Sequence, residues 1–307
     1  AHTGPITVST LAEAHYFSRH GFDDILLGVP IAPCRAQEAV ELGLGVLVDS
    51  QEAVDAIHAC PQTDVDVWLK VDCGYGRAGV LPNSVEAMAL ASTLHDSNRI
   101  NFKGLLTHGG HSYNCVSPDE IREVASEERD AVVSFAAKLR RHGIAVPEIS
   151  VGSTPTMMHV NHLDGVTEMR PGNYALFDGF QFAIGSCRAE DIAAHVLCSV
   201  IGSYVDRVIL DVGALALSKD PGPVHVDPDC GYGQILDLNR RPIHDLRLAG
   251  LSQEHGKAYG KGASRYTVGD KLLVVPNHSC LTMACFPEAH SIRDQDVVGT
   301  LRPIRGW

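Results

Sequence analysis

Basic runs, long apolar runs and a regular cysteine framework are all missing from this chain of 307 residues. Lys and Arg number 25 against 37 Asp and Glu, a net charge of -12, and no cluster of cations is placed to follow a phosphate backbone. No nucleic-acid partner is expected on that ground. The longest apolar stretches, residues 25–32 and 271–276, fall well short of the roughly 18–20 residues that cross a bilayer, so no membrane partner is expected. Nine cysteines, odd in number and irregularly spaced, follow no cationic and apolar leader. They point to reduced thiols and a cytoplasmic protein. There is no internal repeat and no low-complexity linker. What is present is ordinary for a folded chain: 45% hydrophobic and 20% charged residues, enough for one large α/β domain and a smaller one.

Short apolar segments alternate with amphipathic ones, the pattern of β/α units around a parallel sheet. Strands are predicted at residues 6–9, 24–28, 45–49, 65–72, 102–107, 148–151 and 166–169. The first helix, 10–20, carries Thr10 at its start and Glu13 three residues on, a capping pattern. The longest runs from about 119 to 142. After about residue 190 the chain changes to short β-rich segments with frequent Gly and Pro. The expected fold is therefore α/β: a (β/α)8 TIM-type barrel over 1–190 and a C-terminal β-rich domain over 191–307. A closed barrel needs eight strands and only seven are found, so the first strand is expected to be missing, upstream of Ala1. An open doubly wound sheet of seven strands is the alternative.

Several strand ends carry chemistry. Val71–Val80, VDCGYGRAGV, sets three glycines and Arg77 at the C-terminal end of a predicted strand, where barrel active sites are built. A surface turn with a free Arg reads equally well. The next strand end carries His108, His111 and Tyr113 without a charge partner, and a lone His there is usually structural. VGSTPT, Val151–Thr156, joins strand to helix through Gly152, Ser153 and Thr154, offering N–H groups and hydroxyls to a phosphate. Gly172 and Asn173 supply a second set at the following strand end. Each alone reads as a capped loop; together they favour a phosphate site. In the tail, PNHSC places His278 and Cys280 two residues apart, on one face if the segment is extended. Imidazole and thiolate suit Zn2+, and two protein ligands leave positions open for water or substrate. The alternative is a packed Cys beside a surface His. Ser252–His255 reads as a polar turn, and His225, Asp227, Asp229 and Cys230 as a loop with metal-capable groups.

Taken in order, STLAEAHYF, VDCGYGRAGV, the HSY of Tyr113, VGSTPT, RPGNYALFD, LSQEHGK and PNHSC resemble one family over nearly the whole chain. It is the D-serine dehydratase and D-threonine aldolase group of the fold type III enzymes, which use pyridoxal 5'-phosphate (PLP). The resemblance implies a barrel plus a β-domain and a PLP phosphate held by Ser153, Thr154, Gly172 and Asn173. It also implies Tyr113 and Arg77 near the cofactor, with Arg77 facing its phenolic oxygen. Arg170 matches the place where alanine racemases set an Arg against the pyridine nitrogen. A homodimer is expected. The chain departs from the family in one respect. The Schiff-base lysine lies on the first barrel strand of the family, and none of Lys70, Lys103, Lys138, Lys219, Lys257, Lys261 and Lys271 has that context.

Relatives that dehydrate carry His-x-Cys in the metal motif, whereas the aldolases carry His-x-Asp, so Cys280 points to dehydration. The resemblance then implies a PLP- and divalent-metal-dependent lyase, with His278 and Cys280 as the metal ligands and catalytic through the metal. A D-configured 3-hydroxy amino acid loses its Cα proton and then its metal-polarised hydroxyl, giving a 2-oxo acid and ammonia. D-threo-3-hydroxyaspartate is the first expectation. Leu106, where D-serine dehydratases tend to carry a Tyr, leans the same way. D-serine dehydration, aldol cleavage and a non-catalytic PLP-binding protein are the alternatives.

Overall fold

The computed structural model describes residues 5–306. The chain forms two compact units. One is built mainly from the chain up to Tyr113 together with Asp119–Pro171, the other from Asn114–Pro118 and Gly172–Pro303.

In the first unit seven strands, β1 (Ile6–Val8), β2 (Ile25–Pro30), β3 (Gly45–Val48), β4 (Val65–Lys70), β5 (Ile100–Leu106), β6 (Glu148–Val151) and β7 (Glu168–Met169), pair in chain order, all parallel. They coincide with the seven strands expected from periodicity. A doubly wound sheet reverses its strand order at a switch point; this order never reverses, which excludes that alternative. Val46, Leu47 and Val48 show no exposure, because both faces of the sheet are covered. The outward face packs against the helices in one core that includes Val46, Val67, Leu69, Ile57 and Leu94. Leu26, Leu47, Trp68 and Leu106 form a separate inner cluster. The sheet curls far enough for Arg170, just after β7, to donate to Thr7 Oγ1 on β1. Helices begin where short polar side chains cap them: Thr10 accepts from Glu13 N, Ser50 from Ala53 N and Ser84 from Ala87 N.

The second unit holds β8 (Val196–Ser203), β9 (Arg207–Leu210), β10 (Gln234–Leu236), β11 (Arg247–Leu251), β12 (Gly256–Tyr259) and β13 (Lys271–Val275), in the order β10-β13-β8-β9-β12-β11 with antiparallel pairing. A hairpin, β14 (Ala289–Arg293) with β15 (Asp296–Leu301), follows. Along β8, Val196, Cys198 and Val200 are buried while Leu197 and Ile201 are exposed, the two-residue alternation of a sheet with one covered face. β11 is not legible in the sequence because a register shift between Leu248 and Gly250 breaks its alternation, whereas β12 alternates but is only four residues long and opens on glycine. No helix among the described residues is long and apolar enough to cross a membrane.

Candidate active site

At the end of β6 the chain turns sharply through Gly152 at φ +129°, a conformation that side chains other than glycine rarely adopt. Ser153 then caps the helix Thr154–His159 in a closed box. Its hydroxyl accepts from Thr156 N at 3.3 Å, and Thr156 Oγ1 accepts from Ser153 N at 2.9 Å. Ser112 Oγ lies 3.0 Å from Ser153 Oγ, and Ser112, Ser153, Thr154 and Thr156 are all buried. Part of the bonding capacity expected for a ligand is thus spent on making the loop.

Glu128 completes this end of the barrel unit. It lies on the helix Pro118–Arg141 with no exposure, and Oε1 accepts from Gly109 N at 2.6 Å and from Gly152 N at 2.9 Å. Burial pushes its carboxyl above the usual range, against the lowering effect of those two N–H groups. His108, on the loop after β5, has Nδ1 2.9 Å from Gly152 O. A carbonyl only accepts, so Nδ1 carries the proton. Burial depresses the ring to about 4, so it is neutral near pH 7. Lys70, at the end of β4, is buried, and desolvation lowers its amine to about 8. Beside it the Cys73 thiol is pushed up by burial.

The β4 loop is shaped by Asp72, whose Oδ1 accepts from Gly74 N at 2.9 Å and Gly76 N at 3.0 Å, and by Asp49, which takes Gly79 N at 3.0 Å. Arg77 is exposed, with its Cζ 5.1 Å from the Tyr75 ring centroid. The Tyr75 ring stacks on His111, whose Nδ1 is buried without a hydrogen-bond partner. Tyr113 lies in the short turn Gly110–Asn114. Arg170 is engaged by Glu168, by Ser150 Oγ at 2.8 Å and by Thr7. An open cleft of about 330 Å³ in this unit is lined by Asp23, Asp66, Trp68, Lys103, Glu148 and Arg170 among others. Most of these lie where strands begin, away from the strand ends that carry the loops above.

In the second unit the HSC segment is not extended throughout: His278 keeps extended backbone dihedrals (φ -134°, ψ 101°) as the residue preceding the helix Ser279–Cys285, and Cys280 lies in that helix's first turn. The Pro276 and Asn277 carbonyls are tied to Gly179 N and Phe180 N, which ends the strand and starts the helix there. Asp220 Oδ2 lies 3.2 Å from His278 Nδ1. Bonding to Asp220, then to Cys280, raises the imidazole to about 10, while His278 holds the Asp220 carboxyl below its usual range. A buried network fixes the next residue: Asp178 Oδ2 accepts from Ser279 N at 3.0 Å, and Asn173 Nδ2 lies 2.7 Å from the same oxygen, 3.2 Å from Ser279 Oγ and 3.7 Å from Cys280 Sγ. The Asn173 side chain therefore serves the HSC segment, and the residue's main-chain carbonyl accepts from Leu176 N at 3.0 Å and Phe177 N at 2.8 Å; its Oδ1 is buried without a partner. Gly172 is exposed, and a Cβ there would meet nothing within 4 Å.

Two further candidates lose their chemistry. Ser252–His255 forms an exposed turn between β11 and β12. His225 Nε2 is spent on Cys115 O at 3.2 Å, its ring lies against Phe180, and Asp229 pairs with Arg247. Among the described residues no three His, Cys, Asp or Glu side chains cluster as metal ligands. All nine cysteines are free. Nothing in the sequence patterns above singles out Glu128, Asp178 or Asp220.

A parallel barrel-type sheet with β/α loops, joined in sequence to an antiparallel β-rich unit, defines the class: the fold type III architecture. The alanine racemase N-terminal domain profile matches residues 1–178, and a serine dehydratase domain profile matches 193–292. The chain belongs to the D-serine dehydratase and D-threonine aldolase group of that class. It is 39% identical over 320 residues to D-threo-3-hydroxyaspartate dehydratase of Delftia sp. (strain HT23), covering 98% of this chain and 84% of that one. To D-serine dehydratase of Dictyostelium discoideum it is 35% identical, covering 98% and 82%. The solved structure of the Delftia dehydratase superposes with a TM-score of 0.92 at 37% identity, covering 99% of this chain and 85% of that one. A cysteine-to-alanine mutant of a D-threo-3-hydroxyaspartate dehydratase, solved in a metal-free form, superposes equally well, with a TM-score of 0.92 at 37% identity.

Proposed function

We propose that the chain is a PLP- and divalent-metal-dependent dehydratase that converts D-threo-3-hydroxyaspartate to oxaloacetate and ammonia. The observation that carries this reading is the pair His278 and Cys280, with Nδ1 of His278 taken by Asp220, so that imidazole Nε2 and the thiolate remain as donors for Zn2+ or another divalent ion. Two protein donors suit a catalytic ion with open positions. Such an ion, when bound, supplies Lewis acidity to the substrate's β-hydroxyl, otherwise a poor leaving group. PLP, when bound, supplies a ring that delocalises charge from Cα.

The cofactor contacts are also proposals. Ser153, Thr154, Gly172 and Asn173 would hold the phosphate through backbone N–H groups and hydroxyls, Arg77 the phenolic oxygen, and Tyr113 would lie beside the ring. The unpartnered His111 Nδ1 suits an added ligand. Neutral His108 and the Glu128 clamp hold the two loops in place. Lys70 is the buried lysine of this unit, yet it lies on β4 and outside the family's lysine context, so no Schiff-base role is assigned to it. The partner is a small D-3-hydroxy amino acid, and the assembly a homodimer.

Product analysis tests the reading. D-threo-3-hydroxyaspartate should give oxaloacetate and ammonia; glycine and glyoxylate would mean an aldolase. The likeness to the Dictyostelium enzyme makes D-serine the competing substrate. A higher kcat/KM on D-serine, with pyruvate as product, would overturn the substrate assignment and leave the reaction class standing.

A further inference from the structure

We infer that Asp220 is the positioning residue of the metal pair: its carboxylate takes the Nδ1 proton of His278, fixes the ring's tautomer and leaves Nε2 as the lone pair that binds the ion. This rests on the metal reading above. A carboxylate at 3.2 Å from Nδ1 can only accept, so the proton belongs to Nδ1. Metal-bound imidazoles are commonly oriented in this way by an outer carboxylate, which also raises their basicity.

Both oxygens of Asp220 are committed, Oδ2 to His278 and Oδ1 to Gly222 N at 2.8 Å. The contact is made twice over. Asn277, the residue before His278, is buried and donates from Nδ2 to Asp220 O at 3.2 Å and to Gly231 O at 2.9 Å. A Cβ on Gly222, at φ +71°, would lie 2.4 Å from Asn277 Nδ2. The Asp220 loop is therefore fitted to the main chain and side chain of the PNHSC segment at once.

The backbone leading into Asp220 is also strained. Ser218 and Lys219 are consecutive non-glycine residues at φ +64° and +61°, a left-handed conformation that L-residues seldom hold in succession. A partly exposed ion pair is worth too little to account for two such residues. An oriented metal ligand does account for them.

The test is metal affinity, measured on the full chain after chelation and reloading with Co2+, with a chromophoric chelator as competitor. Asp220→Ala should bind Co2+ about 10- to 100-fold more weakly than the unsubstituted protein, yet keep the thiolate charge-transfer band, because Cys280 is untouched. Asp220→Asn, which keeps a carbonyl acceptor for Nδ1–H and covers the case in which the Ala variant does not fold, should fall between the two. An affinity within twofold of the unsubstituted protein in Asp220→Ala, or in Asp220→Asn where the Ala variant does not fold, would overturn the role of Asp220 alone. No Co2+ binding by the unsubstituted chain would overturn the metal reading, and this inference with it.

Discussion

Glu128 Oε1 accepts the backbone N–H of Gly152 at 2.9 Å. Gly152 starts the loop that leads into Ser153, and the same oxygen holds Gly109 N at 2.6 Å, so one side chain sets the loops after both β5 and β6. An ideal Cβ on Gly109 would lie 2.9 Å from this carboxyl, which shows how closely the first loop is drawn in. Glu128 is thus a tie between two loops that the cofactor reading needs in register.

Replacing Glu128→Ala leaves both buried N–H groups without an acceptor, at about 1–3 kcal/mol each. Unfolding free energy should fall by about 2–6 kcal/mol on that basis, and affinity for PLP should fall with it. Glu128→Gln retains an amide oxygen and should lose less. Because burial raises this carboxyl's folded pKa, the folded state holds its proton more tightly than the unfolded one. Its contribution is fullest below the unfolded pKa and is lost as pH rises through the raised folded value. Denaturant melts across that window should show a smaller loss with rising pH for Glu128→Gln. Equal pH slopes in the two proteins would refute the assignment.

His108 works in the opposite sense. Its folded pKa of about 4 lies below that of a free imidazole, so the unfolded chain binds the extra proton first as pH falls. Stability is complete above about pH 6.5 and is lost progressively toward pH 4, by about 3 kcal/mol for a shift of this size. His108→Gln removes the titration. Its unfolding free energy should drop less between pH 7 and pH 4.5, measured by urea denaturation at each pH.

Ser153→Ala opens the capping box of the helix Thr154–His159 and removes the oxygen beside Ser112. A lost cap of this kind costs about 1–2 kcal/mol. If Ser153 also binds the phosphate, the dissociation constant for PLP rises by more than the stability loss explains. Ser112→Ala removes the same hydroxyl contact from the other side and is the control for packing: PLP affinity equal in the two variants would deny Ser153 a direct phosphate role.

The seven parallel strands could be read from sequence because they are short and evenly interleaved with helices that begin at capping residues such as Thr10 and Ser84, and because β3, β4 and β6 are apolar and buried almost throughout; β1 and β7 are short edges with exposed residues. The hairpin Ala289–Leu301 could not: its side chains are mostly exposed, so burial leaves no alternating pattern. Site residues divide along the same line. Glycine-rich strand ends and the His-x-Cys spacing are local signals. Asp220 and His278 are 58 positions apart and meet only in the fold, as do Asp178 and Ser279. Glu128 alone left a trace, as a charge within the buried stripe Ile121, Ala125, Val132, Phe135 and Leu139; a buried charge at such a position needs partners. The extended HSC expectation failed because the strand ends at Val275 and the helix starts at Ser279, a boundary set by contacts with Gly179 and Phe180.

The metal pair makes the sharpest claim about chemistry. His278 and Cys280 are different residues from those proposed for the phosphate, so removing the ion should stop elimination without releasing PLP. Chelation is expected to abolish formation of 2-oxo acid and ammonia while the cofactor's visible absorbance largely persists. Cys280→Ala removes a thiolate donor and should cost most of the activity by the same route. In Cys280→Asp a harder carboxylate replaces the thiolate, so metal is retained but polarises the hydroxyl differently, and dehydration weakens. Rates of oxaloacetate release from D-threo-3-hydroxyaspartate, read beside metal content and PLP absorbance, separate these cases. Full turnover in a preparation free of metal would remove both residues from the mechanism.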